Sequence, residues 1–341
     1  MIHKLHIKNF KLIKDNSFDF KPLTIITGTN SCGKSSILQT LCFFINTNIL
    51  NIEKSMYIQN FTRNLYIFDQ MRNKDLHEDS IHITLNEKNI INITKEEITK
   101  NTEYLFDFEE NFYYLKSNRN LIQDTEKIQN NIKFGVSGEY IGNYFSTNSL
   151  KSIDEIFYEN PDSNKILNYH VDKWIKEILD LEISFTTNES IDIILNGFKD
   201  KNFSNYFLPS NISTGLNFAT KIIIIIGLSL KKGDIFIIEN PEIHLHPKAI
   251  SKFADFFAFL VSKGIQVIIE THSNYLLSKL RYINFKKEFK DEDCIIYYKD
   301  QQTDFVPIFI HSGKFTNINR EKINFPTGFF DTDLDKLMEI R

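Results

Sequence analysis

The chain is predicted to adopt an α/β fold organised around a parallel sheet, and three observations carry that prediction. First, PLTIITG (22–28) reads as a buried strand that runs into a glycine-bounded loop and then into a helix starting near Gly33. Second, from Ser213 onward the pattern alternates: helix FATKIIIIIGLSLKK, strand IFIIE, helix KAISKFADFFAFLVSKG, strand QVIIET, helix SNYLLSKLRYI. Strands joined by helices of this length imply crossovers, which leave the strands parallel and the helices on the faces of the sheet. Third, the 341 residues are 42% hydrophobic and 25% charged, enough apolar material for one large core or two modest ones and unlike a disordered or collagenous chain.

In chain order, MIHKLHIKNFKLIKD alternates apolar and basic residues as a strand does, and lacks the continuous apolar core of a signal peptide. IHITLNEKNIINITKEEI (81–98) reads as two short strands about a polar turn at 86–89, an antiparallel hairpin suited to a β-subdomain beside the main sheet. Between about 103 and 205 the pattern is mixed and aromatic-rich, with one amphipathic helix in SNKILNYHVDKWIKEIL whose Trp174 and Ile178 share a face. No internal repeat or low-complexity linker separates the two motif-rich ends. The expectation is therefore a single domain assembled from 1–100 and 206–341, with an inserted helical lobe over about 103–205.

Bulk properties exclude several classes. The longest apolar run, IIIIIGLSL (222–230), is far short of the roughly 20 residues of a membrane helix, so no membrane association is expected. Cys32, Cys42 and Cys294 stand at unrelated spacings, which suggests neither a disulfide framework nor a zinc site and favours the cytoplasm. A net charge of −4 argues against a chain dominated by sequence-independent nucleic-acid binding, and leaves room for DNA on a local basic face.

The sharpest motif is Gly28-Thr-Asn-Ser-Cys-Gly33-Lys34-Ser35, which fits G-x-x-x-x-G-K-[ST] and sits between a strand and a helix, the context that gives the motif its meaning. Glycines let backbone N–H groups converge on phosphate oxygens, and the helix N-terminus adds its positive dipole. Gly28, Asn30, Ser31, Cys32, Gly33, Lys34, Ser35 and Ser36 are the candidate nucleotide-binding residues. Lys34 is expected on the β- and γ-phosphates and the Ser35 hydroxyl on Mg²⁺. DIFIIENPE then supplies a buried strand that delivers Glu239 at its C-terminal end, where open α/β sheets bind ligands; Glu239 is the expected second magnesium residue.

ITGTNSCGKSS, ISTGL, IIENPEIHLHPKA and VIIETHSNYLL, in this order, resemble the SMC-like, ABC-type ATPases that include the overcoming-lysogenisation-defect (OLD) nucleases and many stand-alone bacterial AAA proteins. FPTGFFD resembles one stand-alone branch of that class, and the middle lobe matches the class less sharply, through YYLKSNR and VSGEYIG. The resemblance implies a P-loop NTPase with an ABC-type ATPase head of mixed and parallel sheet, and an ATP sandwich in which each nucleotide lies between one head's phosphate loop and the partner's signature segment. That segment would be Ile212-Ser213-Thr214-Gly215-Leu216, with Ser213 and Gly215 meeting the γ-phosphate; taken alone, STG is an ordinary helix cap. His272 matches the switch histidine that senses the γ-phosphate. His244 and His246 form an H-x-H pair without a third ligand, and are expected to orient the segment facing the other subunit. Gln59 and Gln70 are weak candidates for the glutamine that links magnesium to the lobe.

Where this family more often has two adjacent acids, the chain has Glu239-Asn240. An amide hydrogen-bonds water but cannot take its proton, so a base is lost at that position. Either Glu242 acts as the base, or phosphoryl transfer relies on positioning and electrostatics and turnover is slow. OLD-type nucleases add a TOPRIM domain; here Asp331, Asp333 and Asp335 superficially resemble its D-x-D but read better as an acidic helix start. Two functions remain. One is a slowly hydrolysing ATPase whose ATP-dependent homodimer drives a separate nuclease or toxin, with anti-phage defence the setting the resemblance allows; the other is a nucleotide-gated scaffold with negligible turnover.

Overall fold

A computed structural model of the chain describes residues 1–47, 51–103, 105–160, 162–200, 206–213, 215, 221–301 and 303–326. The elements are β1 (Lys4–Phe10), β2 (Ile13–Asp19), β3 (Leu23–Gly28), α1 (Lys34–Leu41), α2 (Ile52–Thr62), α3 (Phe68–Met71), β4 (Ser80–Leu85), β5 (Asn89–Thr94), β6 (Ile98–Asn101) and β7 (Phe112–Leu115). There follow β8 (Thr125–Lys127), α4 (Ile141–Asn148), α5 (Leu167–Leu179), β9 (Ile183–Ser190), β10 (Ile193–Asp200), β11 (Tyr206–Phe207) and α6 (Lys221–Leu228). The chain continues through β12 (Ile235–Glu239), α7 (Pro247–Ser262), β13 (Gln266–Glu270), α8 (Asn274–Phe285), β14 (Cys294–Lys299), β15 (Val306–His311) and β16 (Lys314–Thr316).

The main sheet runs β16-β15-β14-β3-β13-β12-β7, and its members from β14 to β7 are parallel. Its central strands are apolar at nearly every position because both faces are covered. Side chains alternate between the faces, so Ile25, Phe236, Ile238, Val267 and Ile269 join a core shared with α5, α6, α7 and α8. Their neighbours Ile26, Ile235, Ile237 and Ile268 join a second core, shared with α1 and an antiparallel sheet β2-β1-β4-β5-β6. The expected hairpin is β4 and β5, paired from Ser80↔Thr94 to Leu85↔Asn89.

The middle of the chain differs from expectation in two ways. FYYL of β7 falls inside the expected insertion, yet it is an edge strand of the main sheet, pairing Ile235↔Phe112 through Ile238↔Leu115. The boundary expected at 103 therefore moves to the end of β7, because an aromatic strand buried on both faces has no polar alternation to mark it. The lobe is also not purely helical: β10 pairs with β8, β9 and β11 beside α4 and α5. The amphipathic helix forms over Leu167–Leu179, and Trp174 packs edge-on against Phe256 of α7 at 4.8 Å between ring centroids. Among the described residues no helix is long and apolar enough to cross a membrane.

Candidate functional site

The C-terminal ends of β3, β12 and β13 lie side by side, and the motif residues cluster there. β3 must end in glycine: Gly28 has φ +142°, and a Cβ would stand 1.9 Å from the Lys299 carbonyl oxygen of neighbouring β14. The Thr29 N–H donates to that same oxygen at 3.1 Å, tying the loop to β14. Ser31 adopts a left-handed conformation (φ 60°), and Gly33 (φ 100°) caps α1 at its N-terminus. The loop borders a cavity of about 640 Å³ lined by Asn30, Ser31, Lys34, Ser35, Glu270 and His272 among others. Lys34 is buried and its Nζ donates to the Thr29 carbonyl at 2.7 Å and the Gly28 carbonyl at 3.3 Å. Cys32 is buried with its Sγ 4.0 Å from Lys34 Nζ, and the Ser36 N–H donates to Gly33.

The acids are arranged differently from the sequence expectation. Ser35 Oγ donates to Glu270 Oε1 at 3.0 Å. Glu239, expected beside Ser35, has its two oxygens taken elsewhere: Oε1 accepts the Tyr114 hydroxyl at 2.5 Å and Oε2 the Ser117 N–H at 3.0 Å. Glu270 is 5% exposed, and its Oε2 is buried without a hydrogen-bond partner among the described residues. Burial pushes the Glu270 pKa up to about 7; the Ser35 hydrogen bond and the Lys34 charge oppose the rise, and the Glu239 and Glu242 charges reinforce it.

Behind these acids lies Arg119, 3% exposed, whose Nη1 donates to the Lys116 and Glu239 carbonyls at 2.9 and 2.7 Å and whose Nη2 donates to the Asn240 carbonyl at 2.7 Å. Burial lowers its pKa to about 10, against the pull of Glu242 and Glu239. The Asn240 N–H donates to the Glu270 carbonyl at 2.7 Å, and the residue has φ 44°. Asparagine tolerates that left-handed region better than most side chains, which gives a backbone reason for an amide where an acid is more usual. Glu242 Oε1 accepts the His272 N–H at 2.7 Å, coupling the turn after β12 to the loop after β13. The His272 pKa is lowered by burial and by the Lys34 charge, with the Gly28 backbone opposing the shift.

The remaining candidates lie further out. Ser213 is exposed; Gly215 packs so closely on the turn after β12 that a Cβ would stand 2.6 Å from the His244 carbonyl oxygen. Thr214 and Leu216 lie outside the described residues, as do Asp331, Asp333 and Asp335. His246 caps α7, its Nδ1 accepting the Lys248 N–H at 3.3 Å, and His244 adopts φ 62°. Among the described residues no group of three His, Cys, Asp or Glu is placed to hold a metal ion. Gln59 bonds Ser55 on α2 and Gln70 is exposed; the glutamine at the cavity is Gln39, which accepts from Lys11 Nζ at 2.5 Å.

Sequence reasoning missed Glu270, Arg119, Tyr114 and Ser117. Glu270, like Glu239, is an acid at the end of a buried strand, so this local signal does not choose between the two. Arg119 ends the stretch YYLKSNR, in which nothing local marks it as buried.

Residues 68–278, more than half of the chain, match the family described as AAA domain, putative AbiEii toxin, type IV TA system. An ATP/GTP phosphatase of Helicobacter pylori is 38% identical over 81 residues, 24% of this chain and 20% of that protein. The Old nuclease of Escherichia phage P2 is 37% identical over 71 residues, 21% of this chain and 12% of that protein. The matched segment thus spans a fifth or less of the length of either relative. Among solved structures, an SMC head bound to the C-winged helix domain of ScpA superposes with a TM-score of 0.54 at 12% identity, covering 99% of both chains. The fold is that of an SMC head, an ABC-type P-loop ATPase domain.

Proposed function

The chain belongs to the AAA-domain family described as putative AbiEii toxin of type IV TA systems, within the SMC-like, OLD-related ATPase class, and on that premise we propose that it binds Mg·ATP at the Gly28–Ser36 loop, hydrolyses it slowly, and uses the bound state to pair two heads. The observation that carries this reading is the loop itself: a glycine-bounded turn between a central parallel strand and a helix, with a lysine and a serine hydroxyl at its rim. N–H groups of the loop and the start of α1 bind the β- and γ-phosphates, and Lys34 exchanges its two carbonyl partners for phosphate oxygens. The residues suit a small dication, because Ser35 and Glu270 bring oxygen donors together and one Glu270 oxygen is buried without a hydrogen-bond partner among the described residues. Mg²⁺ supplies charge neutralisation on the phosphates when bound.

Slow turnover follows from the acids. Asn240 offers no base, and Glu242 spends one oxygen on the His272 N–H, so it holds the sensor loop as well as facing it. Ser213 and Gly215 complete the nucleotide site of a second head, and the paired heads control a separate nuclease or toxin, acting in the cytoplasm in anti-phage defence. The SMC head above is bound to a partner protein, which supports effector control by analogy of fold. Asn240 also favours a second reading, a nucleotide-gated scaffold with negligible hydrolysis. Purified protein assayed for ATP turnover with and without DNA, and for sedimentation with ATP or ADP, separates the two. Lys34→Ala should abolish tight ATP binding while the fold survives; unchanged binding would sink the nucleotide-site reading.

A further inference from the structure

Glu239 and Glu270 end neighbouring parallel strands at the same register position, yet their carboxylates take different partners. Glu239 is turned toward β7, where the Tyr114 hydroxyl and the Ser117 N–H satisfy one oxygen each. Glu270 accepts a hydrogen bond from the Ser35 hydroxyl of α1 on Oε1 at 3.0 Å and lines the phosphate-loop cavity. Its second oxygen is buried without a hydrogen-bond partner among the described residues, although the residue is only 5% exposed. An unsatisfied buried carboxylate oxygen is costly in a folded protein and calls for a ligand that satisfies it.

We infer that Glu270, rather than Glu239, is the carboxylate that works with Ser35 at the divalent cation of the bound nucleotide, an assignment that rests on the Mg·ATP reading of the loop. The chemistry is that of a hydroxyl held by its proton: a Ser35 that donates to Glu270 keeps its lone pairs for a cation, as outer carboxylates orient metal ligands elsewhere. Magnesium needs only one or two protein oxygens beside phosphate and water, and Glu270 Oε2 is available as a partner for the cation or its water. Glu239 is the strut between β12 and the start of the lobe.

Binding of mant-ATP to the full chain, in EDTA and across a Mg²⁺ titration, tests this, with Mn²⁺ as an electron paramagnetic resonance probe of the cation itself. In Glu270→Gln the cation should bind at least about tenfold more weakly in the presence of nucleotide, the usual cost of removing a partner that orients a metal ligand, while affinity in EDTA stays within about twofold. Glu239→Gln should keep the cation affinity within about threefold. The reverse pattern, or a Glu270→Gln protein with parental Mn²⁺ affinity, overturns the assignment. Glu270→Asp, which keeps the charge on a shorter stem, should lie between parent and glutamine variant and serves if the latter does not fold; parental cation affinity in Asp would count against the assignment. Failure of the parent to bind mant-ATP in either buffer is a different result, and removes the nucleotide reading itself.

Discussion

Replacing Arg119 by methionine should loosen the turn after β12 and destabilise the protein. The guanidinium joins carbonyls from two segments remote in sequence: Lys116, just after β7 and three residues before the arginine, and Glu239 and Asn240, where β12 ends. A hydrogen bond from a charged donor is worth about 1.5–3 kcal/mol, but removing the cation also returns its burial cost, so the three do not simply add. A net loss of about 3 kcal/mol is expected, or a Tm lower by about 6–12 °C at roughly 2–4 °C per kcal/mol for a large domain. Arg119→Lys should recover only part of this, because one ammonium cannot reproduce a planar fork that bridges two elements. Thermal unfolding by circular dichroism gives the global effect, and amide hydrogen exchange over 239–246 gives the local one. A Tm within about 2 °C of the parent and unchanged exchange in that segment would refute the reasoning that this arginine pins the acidic turn.

Three further outcomes are expected. Glu242→Gln retains an oxygen for the His272 N–H and removes only the charge, so single-turnover kinetics should show a loss of about 10²- to 10⁴-fold if Glu242 is the base and a few-fold change if it is only a brace. In EDTA, because the folded-state pKa of Glu270 is raised to about 7, its ionisation should cost stability progressively as pH rises from the ordinary carboxylate range through about 7; Glu270→Gln should flatten that part of the Tm–pH curve, and a parallel curve would contradict the burial argument. Gly28→Ala places a Cβ 1.9 Å from the Lys299 carbonyl oxygen, at φ +142°, so soluble yield and Tm should fall sharply, and a variant as stable as the parent would show that the β3–β14 contact is looser than described.

The sequence by itself determined the parts of this protein whose signals are local. Period-two alternation, four-residue spacing and glycine placement lie within a few residues of one another, so they disclosed the strand–loop–helix at Gly28–Leu41, the β4–β5 hairpin, the helices α5 and α7, and the alternating strands β12 and β13. They also disclosed that an acid ends a buried strand, but not which acid turns toward Ser35. Two acids end adjacent strands, and the choice between them is made by partners remote in the chain: Tyr114 lies 125 residues from Glu239, and Ser35 lies 235 residues from Glu270. Only the tertiary structure decided it, because strand order puts β7 on one side of β12 and the phosphate loop on the other side of β13. The same long-range pairing decided that β7 belongs to the main sheet and that Arg119 is buried beneath the acidic turn; both depend on which neighbours cover a segment, a property that periodicity does not contain.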